Sequence, residues 1–182
     1  GAGFLKLNTV AASLKTVDAS GLAAGLVIDL GEASNVTSVL GSAGDDVIQA
    51  SDSTNGDDLA INAEINGGDG ADTLALAGPS VGTVQYQMAG VETIALGATT
   101  TTFSATNTTG VEELVVAGGA LQGGNDATFA NMGATDLNVT LTANDDLGLD
   151  AADGDVSSDH TGATVLNVAG GEEDDELTVG AN

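Results

Sequence analysis

The seven residues Gly90-Val91-Glu92-Thr93-Ile94-Ala95-Leu96 return 20 residues later as Gly110-Val111-Glu112-Glu113-Leu114-Val115-Val116. A second phrase, Gly133-Ala134-Thr135-Asp136-Leu137-Asn138-Val139, returns after 29 residues as Gly162-Ala163-Thr164-Val165-Leu166-Asn167-Val168. Near-repeats of this period belong to chains wound into stacked coils, since one coil cannot bury its apolar face alone. Short apolar runs recur elsewhere, each followed within three residues by Gly or Ser: Leu26 to Leu30, Asp46 to Ile48, Thr73 to Leu76. Such runs, bounded by turn formers, read as strands. The 27 glycines are spread throughout and cost helix interiors about 1 kcal/mol each, so a helical turn is entertained only around Asn125 to Met132. The expected architecture is all-β, a right-handed parallel β-roll or β-helix solenoid forming a single domain over residues 1–182. Uneven repeat spacing makes it irregular, and the acidic stretch Asn144 to His160 reads as a long inserted loop.

The core must be thin. Hydrophobic residues make up 42% of the 182, but aromatics only 2%, so stacked Ala, Val, Leu and Ile layers replace the rings that fill thick cores. Charge is lopsided: 27 Asp and Glu against Lys6 and Lys15, a formal net charge of −25. Phosphate recognition needs a basic face, which excludes nucleic acid as a partner, and anionic membrane surfaces are excluded likewise. Carboxylates without counter-charges repel one another, a repulsion that bound divalent cations relieve. There are no cysteines, hence no thiol catalysis and no disulfide staples. No apolar run approaches the roughly 20 residues of a membrane span. Gly1-Ala2-Gly3-Phe4 opens without a signal-peptide pattern, so the chain reads as a processed subunit, a segment of a longer protein, or one exported by another route.

Chemistry concentrates in turns. Gly67-Gly68-Asp69-Gly70-Ala71-Asp72-Thr73-Leu74-Ala75 fits G-G-x-G-x-D-x-U-x, with U apolar, at every fixed position. Gly41-Ser42-Ala43-Gly44-Asp45-Asp46-Val47-Ile48-Gln49 differs by Ser for the second Gly, and Gly170 to Thr178 by Glu173 for the third. A fainter copy runs from Asn55 to Ile61. Glycines let the turn backbone aim carbonyl oxygens inward, the aspartate adds a hard oxygen, and the apolar residue two places on anchors a strand. Calcium takes 6–8 oxygens, more than one turn supplies but within reach of two stacked turns. With turns alternating between two edges, Asp46 and Asp72 stack on one edge, sharing an ion, with Asp58 opposite. Candidate metal-ligating residues are Gly41, Ala43, Asp45, Asp46, Asp58, Gly67, Asp69, Asp72, Asp145, Asp150, Asp174 and Asp175.

These turns resemble the RTX, or haemolysin-type calcium-binding, family. The resemblance implies a parallel β-roll, calcium-triggered folding outside the cell and export by a type I system. The Gly90 and Gly110 phrases, with the Thr-rich stretch Thr99 to Thr109, are similar to bacterial S-layer proteins carrying such repeats.

Each motif has a plainer reading. The turn aspartates also suit a solvated edge, and the five aspartates between Asn144 and Asp155, which miss the EF-hand spacing, suit an acidic loop. Asn125 and Asp126, after Gly123-Gly124, are a further candidate site. His160 beside Asp159 has no nucleophile near it in sequence and reads as chance adjacency, and Tyr86 reads as a strand residue. Three functions follow. The first is a non-enzymatic, calcium-binding structural module of an S-layer, matrix or filament protein at the cell surface, self-associating through solenoid ends or edges. The second is an adhesin segment or the calcium-binding tail of a secreted enzyme or toxin. The third, a polysaccharide-acting β-helix enzyme using Asp145 and Asp150 as an acid–base pair, is disfavoured by the absence of Arg and by only three Phe and one Tyr.

Overall fold

A strand in a parallel stack must find its hydrogen-bond partners in the coils on either side, and the apolar runs of this chain do so in register. The computed structural model describes residues 4–8, 10–30, 33, 35–52, 56–57, 59–76, 83–96, 101–116, 127–130, 137–141, 155–158, 166–170 and 176–179. Among them the long sheet contains β1 (Leu5–Leu7), β3 (Leu26–Asp29), β5 (Val47–Asp52), β8 (Thr73–Leu76), β11 (Thr93–Leu96), β13 (Glu113–Val116), β15 (Leu137–Leu141) and β17 (Leu166–Gly170) in that spatial order. A second sheet holds β2 (Thr16–Asp18), β4 (Val36–Leu40), β7 (Leu59–Asn66) and β10 (Gln87–Ala89), and a third holds β9 (Thr83–Gln85), β12 (Thr101–Ser104), β14 (Ala127–Ala130), β16 (Asp155–Ser158) and β18 (Glu176–Val179). Strands of the long sheet alternate along the chain with strands of the other two, and neighbours within each sheet are parallel. The protein is an all-β solenoid, with no helix among the described residues.

Both repeated phrases become stacked coils. Thr93 to Leu96 lie opposite Glu113 to Val116, and Leu137, Asn138 and Val139 lie opposite Leu166, Asn167 and Val168. A sequence offset of 20 or 29 residues is thus one winding of the chain. Irregularity is also present. Within the fainter Asn55 to Ile61 copy, Gly56–Asp57 (β6) folds back antiparallel onto β5, and Leu59 to Ile61 begin β7. Ala127–Ala130 is extended where a helical turn was entertained, because its pairing with β12 and β16 outweighs weak local preference. Asp155–Ser158 forms a strand inside the stretch expected to be a loop.

The core is a set of aliphatic columns. In the long sheet Ile28, Ile48, Leu74, Ile94 and Leu114 stand opposite one another and are all buried. The alternate positions face outward, as the period-2 rule requires. Val47 is 38% exposed while its neighbour Ile48 is fully buried. Two rings break the aliphatic pattern. Phe103 and Tyr86 are buried, and Tyr86 lies between β9 and β10, where the chain passes from the third sheet to the second. It is a core residue at a switch between sheets rather than part of a strand.

Leu74→Ala removes the middle of a five-residue column and is expected to cost about 2–5 kcal/mol. Val47→Ala, on the outer face of the same sheet, should stay within roughly 0.5 kcal/mol of the parent. Urea unfolding followed by circular dichroism distinguishes the two.

Candidate functional site

Where the chain turns the corner into β3, β5 and β8, one amide at or just before each strand meets a side chain rather than a backbone carbonyl. Those side chains are acidic. The Leu26 amide donates to Asp46 Oδ1 at 2.7 Å, the Asp46 amide to Asp72 Oδ1 at 2.7 Å, and the Asp72 amide to Glu92 Oε2 at 2.8 Å. The partners lie 20, 26 and 20 residues apart in sequence. Carbonyls run the other way: Thr73 donates to Asp46 O, Glu92 and Thr93 to Asp72 O, Glu112 and Glu113 to Glu92 O. The result is a ladder of side-chain and backbone bonds along one edge of the solenoid.

Asp46 and Asp72 therefore do stack, and both are fully buried. Their carboxylates are served very differently. Asp46 accepts three hydrogen bonds: from the Leu26 amide, from the Ser42 amide to Oδ2 at 2.6 Å, and from the Ser42 hydroxyl to Oδ1 at 2.5 Å. That occupies most of the four or so lone-pair positions of a carboxylate. Asp72 Oδ1 takes the Asp46 amide, but Asp72 Oδ2 is buried without a hydrogen-bond partner. Burial pushes the Asp72 carboxyl up from 3.8 to about 6; the Asp46 amide opposes this, and the neighbouring Asp46, Glu92 and Asp45 charges reinforce it.

The remaining candidates divide by position. Asp45 is exposed and its Oδ1 caps the Ala71 amide at 3.0 Å. Ala43 and Asp69 are exposed on the same turns. Gly41 and Gly67 are buried, their amides bonded to Asn66 O and Ala89 O. A methyl group on Gly67 would meet Gly90 O and Asp72 Oδ2, so the carboxylate lies in space that only glycine leaves open. Asp58, Asp145, Asp150, Asp174 and Asp175, with Asn125, Asp126, Asp159 and His160, lie outside the described residues.

The ladder also includes two residues that the nonapeptide pattern does not mark, Ser42 and Glu92. Ser42 stands at an imperfect motif position, and Glu92 lies in a turn without the nonapeptide. A signal for Glu92 exists: Asp72-Thr73-Leu74-Ala75-Leu76 and Glu92-Thr93-Ile94-Ala95-Leu96 share an acid directly before a strand of the same type.

As a metal centre, the Asp46 carboxylate fits poorly, because protein donors already surround it. Asp72 fits better: Oδ2 is an uncommitted hard oxygen, three acidic groups raise the negative potential around it, and backbone carbonyls are abundant in the turn. Among the described residues no group of three or more acidic or histidine side chains is gathered as a ready-made metal cage. A cation here would draw on carbonyls and water as well as carboxylate, the usual mixture for calcium.

Gly67→Ala should lose about 1–3 kcal/mol of stability through overpacking, whereas Gly21→Ala, with open space around its new methyl, should fall within roughly 1 kcal/mol of the parent; urea midpoints check both. The raised carboxyl of Asp72 gives a pH signature. Its folded value exceeds its unfolded value, so the relative stability it confers is full below about 4 and is lost as pH rises through about 6. In chelator, melting temperatures between pH 4 and 7 should therefore fall more steeply for the parent than for Asp72→Asn.

No family model matches this chain, and no curated protein or solved structure is similar enough to count as a match.

Proposed function

We propose that this chain is a non-enzymatic, calcium-binding structural module of an extracellular surface assembly, an S-layer, matrix or filament protein. The observation that carries the reading is the buried, unpartnered Oδ2 of Asp72, set among the charges of Asp45, Asp46 and Glu92. A buried carboxylate oxygen without a donor costs on the order of several kcal/mol. In a chain of net charge −25 with two cationic side chains, a metal ion is the natural counter-charge. Asp72 would hold it with carbonyls of its own and adjoining turns, and the ion would supply positive charge to the corner ladder. Calcium suits such a site better than magnesium, which demands near-octahedral geometry and gives up its water reluctantly.

The structural role is supported by the fold's economy. Stacked coils joined by hydrogen bonds make a rod whose stability is a sum over neighbours, suited to spacing or layering. Leu5 and Leu7 of β1, with Phe4, are 44%, 38% and 65% exposed at the edge of the long sheet. Parallel edges of this kind pair readily with further strands, which supports self-association through the solenoid edge.

Calcium titrated into chelated protein tests the reading. An ion that binds only the folded chain stabilises it by RT ln(1 + [L]/Kd), about 2.7 kcal/mol at 100 times Kd, so the thermal midpoint should climb with calcium and much less with magnesium. Identical melts in chelator and in millimolar calcium would sink the proposal. Light scattering of the calcium-loaded chain should show mass rising with concentration; a constant monomer mass removes the self-association part.

A further inference from the structure

At the fixed glycine and aspartate positions of the motif the two turns differ once, at Ser42 and Gly68, and that position decides how each buried carboxylate is satisfied. Gly41, Ser42, Gly44 and Asp46 correspond to Gly67, Gly68, Gly70 and Asp72, each pair at the 26-residue offset of the Asp46–Asp72 bond. Ser42 is 3% exposed. Its hydroxyl lies 2.5 Å from Asp46 Oδ1 and 3.1 Å from Gly44 O. The single hydroxyl proton goes to the shorter, charge-assisted bond, and the oxygen accepts the Gly44 amide at 3.2 Å. The Ser42 amide is committed to the same carboxylate, at Oδ2.

In the next coil the corresponding residue is Gly68, with a φ of 108°. It has no hydroxyl, and its amide turns to Asn66 Oδ1 at 3.1 Å instead of to Asp72. Asp72 thus receives one donor where Asp46 receives three. Serine is not an option at this second position. A Cβ on Gly68 would meet Ser42 O, and the positive φ is unfavourable to L side chains. Serine in one turn and glycine in the next form a stacked pair in which only the first can carry the hydroxyl.

We infer that Ser42 takes the place of a cation at the Asp46 corner, so that this corner is closed without metal and the cation response of this pair of turns is confined to Asp72. The inference rests on the calcium reading and assigns its specificity to a residue that binds no metal. Replacing the hydroxyl should convert a metal-independent corner into a metal-dependent one. Without it, Asp46 Oδ1 keeps only the Leu26 amide, and the chain gains a buried, under-served carboxylate beside a turn now resembling Gly67 to Asp72.

The experiment compares the parent with Ser42→Gly, Ser42→Thr and Asp72→Asn, measuring bound calcium by equilibrium dialysis and thermal midpoints in chelator and in calcium. Ser42→Gly is expected to melt lower than the parent in chelator, to recover most of the difference in calcium, and to bind one more calcium per chain. Ser42→Thr, which keeps the hydroxyl, should match the parent in bound calcium. Asp72→Asn should bind one fewer. If Ser42→Gly fails to fold in chelator, refolding on calcium addition supports the inference, and failure to fold in calcium as well overturns it. An unchanged calcium count with equal losses in both buffers also overturns it. A parent indifferent to calcium removes the proposed function, yet the Ser42→Gly arm still decides the inference: a newly acquired calcium response sustains it, and none refutes it.

Discussion

Each coil of this solenoid completes its backbone hydrogen bonds only through its neighbours. Within the strands the parallel ladder does this from backbone to backbone. At the corner the direction of the chain changes, and the amides of Leu26, Asp46 and Asp72 would be left without acceptors inside the molecule. Buried amides in that state are rare because each costs about as much as a lost hydrogen bond. Side-chain carboxylates from the following coil serve as the missing acceptors, two Asp and then the longer Glu92. The stacking register follows from this link, since each acid fixes the height of its own coil against the one before.

The same device carries its own tension. Carboxylates that stack once per coil lie close to one another, in an interior with few cations to offset them. The Asp46 corner resolves the tension with local donors, the Ser42 hydroxyl and amide. The Asp72 corner leaves it in place, visible as a carboxyl pushed up to about 6 by burial and by its acidic neighbours. Two turns that share the first and third glycines and the aspartate of the motif thereby have different chemistry. One is a finished structural joint, and the other keeps a buried carboxylate oxygen without a donor.

Several elements were legible from local pattern. Thr73 to Leu76 and Thr93 to Leu96 were recognisable as strands because a short aliphatic run between turn formers has few other uses. The 20- and 29-residue repeats specified which runs would be neighbours. The Asp46–Asp72 juxtaposition followed from the spacing of the two best motif copies. Other features were not legible. Around Ala127–Ala130 the local residues allow a turn of helix, and pairing with strands on both sides makes the segment extended instead. Gly56–Asp57, inside the fainter motif copy, pairs antiparallel with β5, a reversal that composition alone does not announce. Ser42 read as a defect in a motif and proved to be the donor that completes Asp46.

Alone, then, the sequence determined the all-β winding, the thin aliphatic core and the stacking of Asp46 with Asp72, because these depend on residue type and short-range period. The tertiary structure decided which carboxylate oxygens find donors. Those donors are amides 20 to 26 residues away, and whether a nearer amide joins them depends on one backbone angle at Gly68. Neither is encoded in spacing. Both follow only when one coil settles on another and the space between two turns is filled by a hydroxyl, or left open.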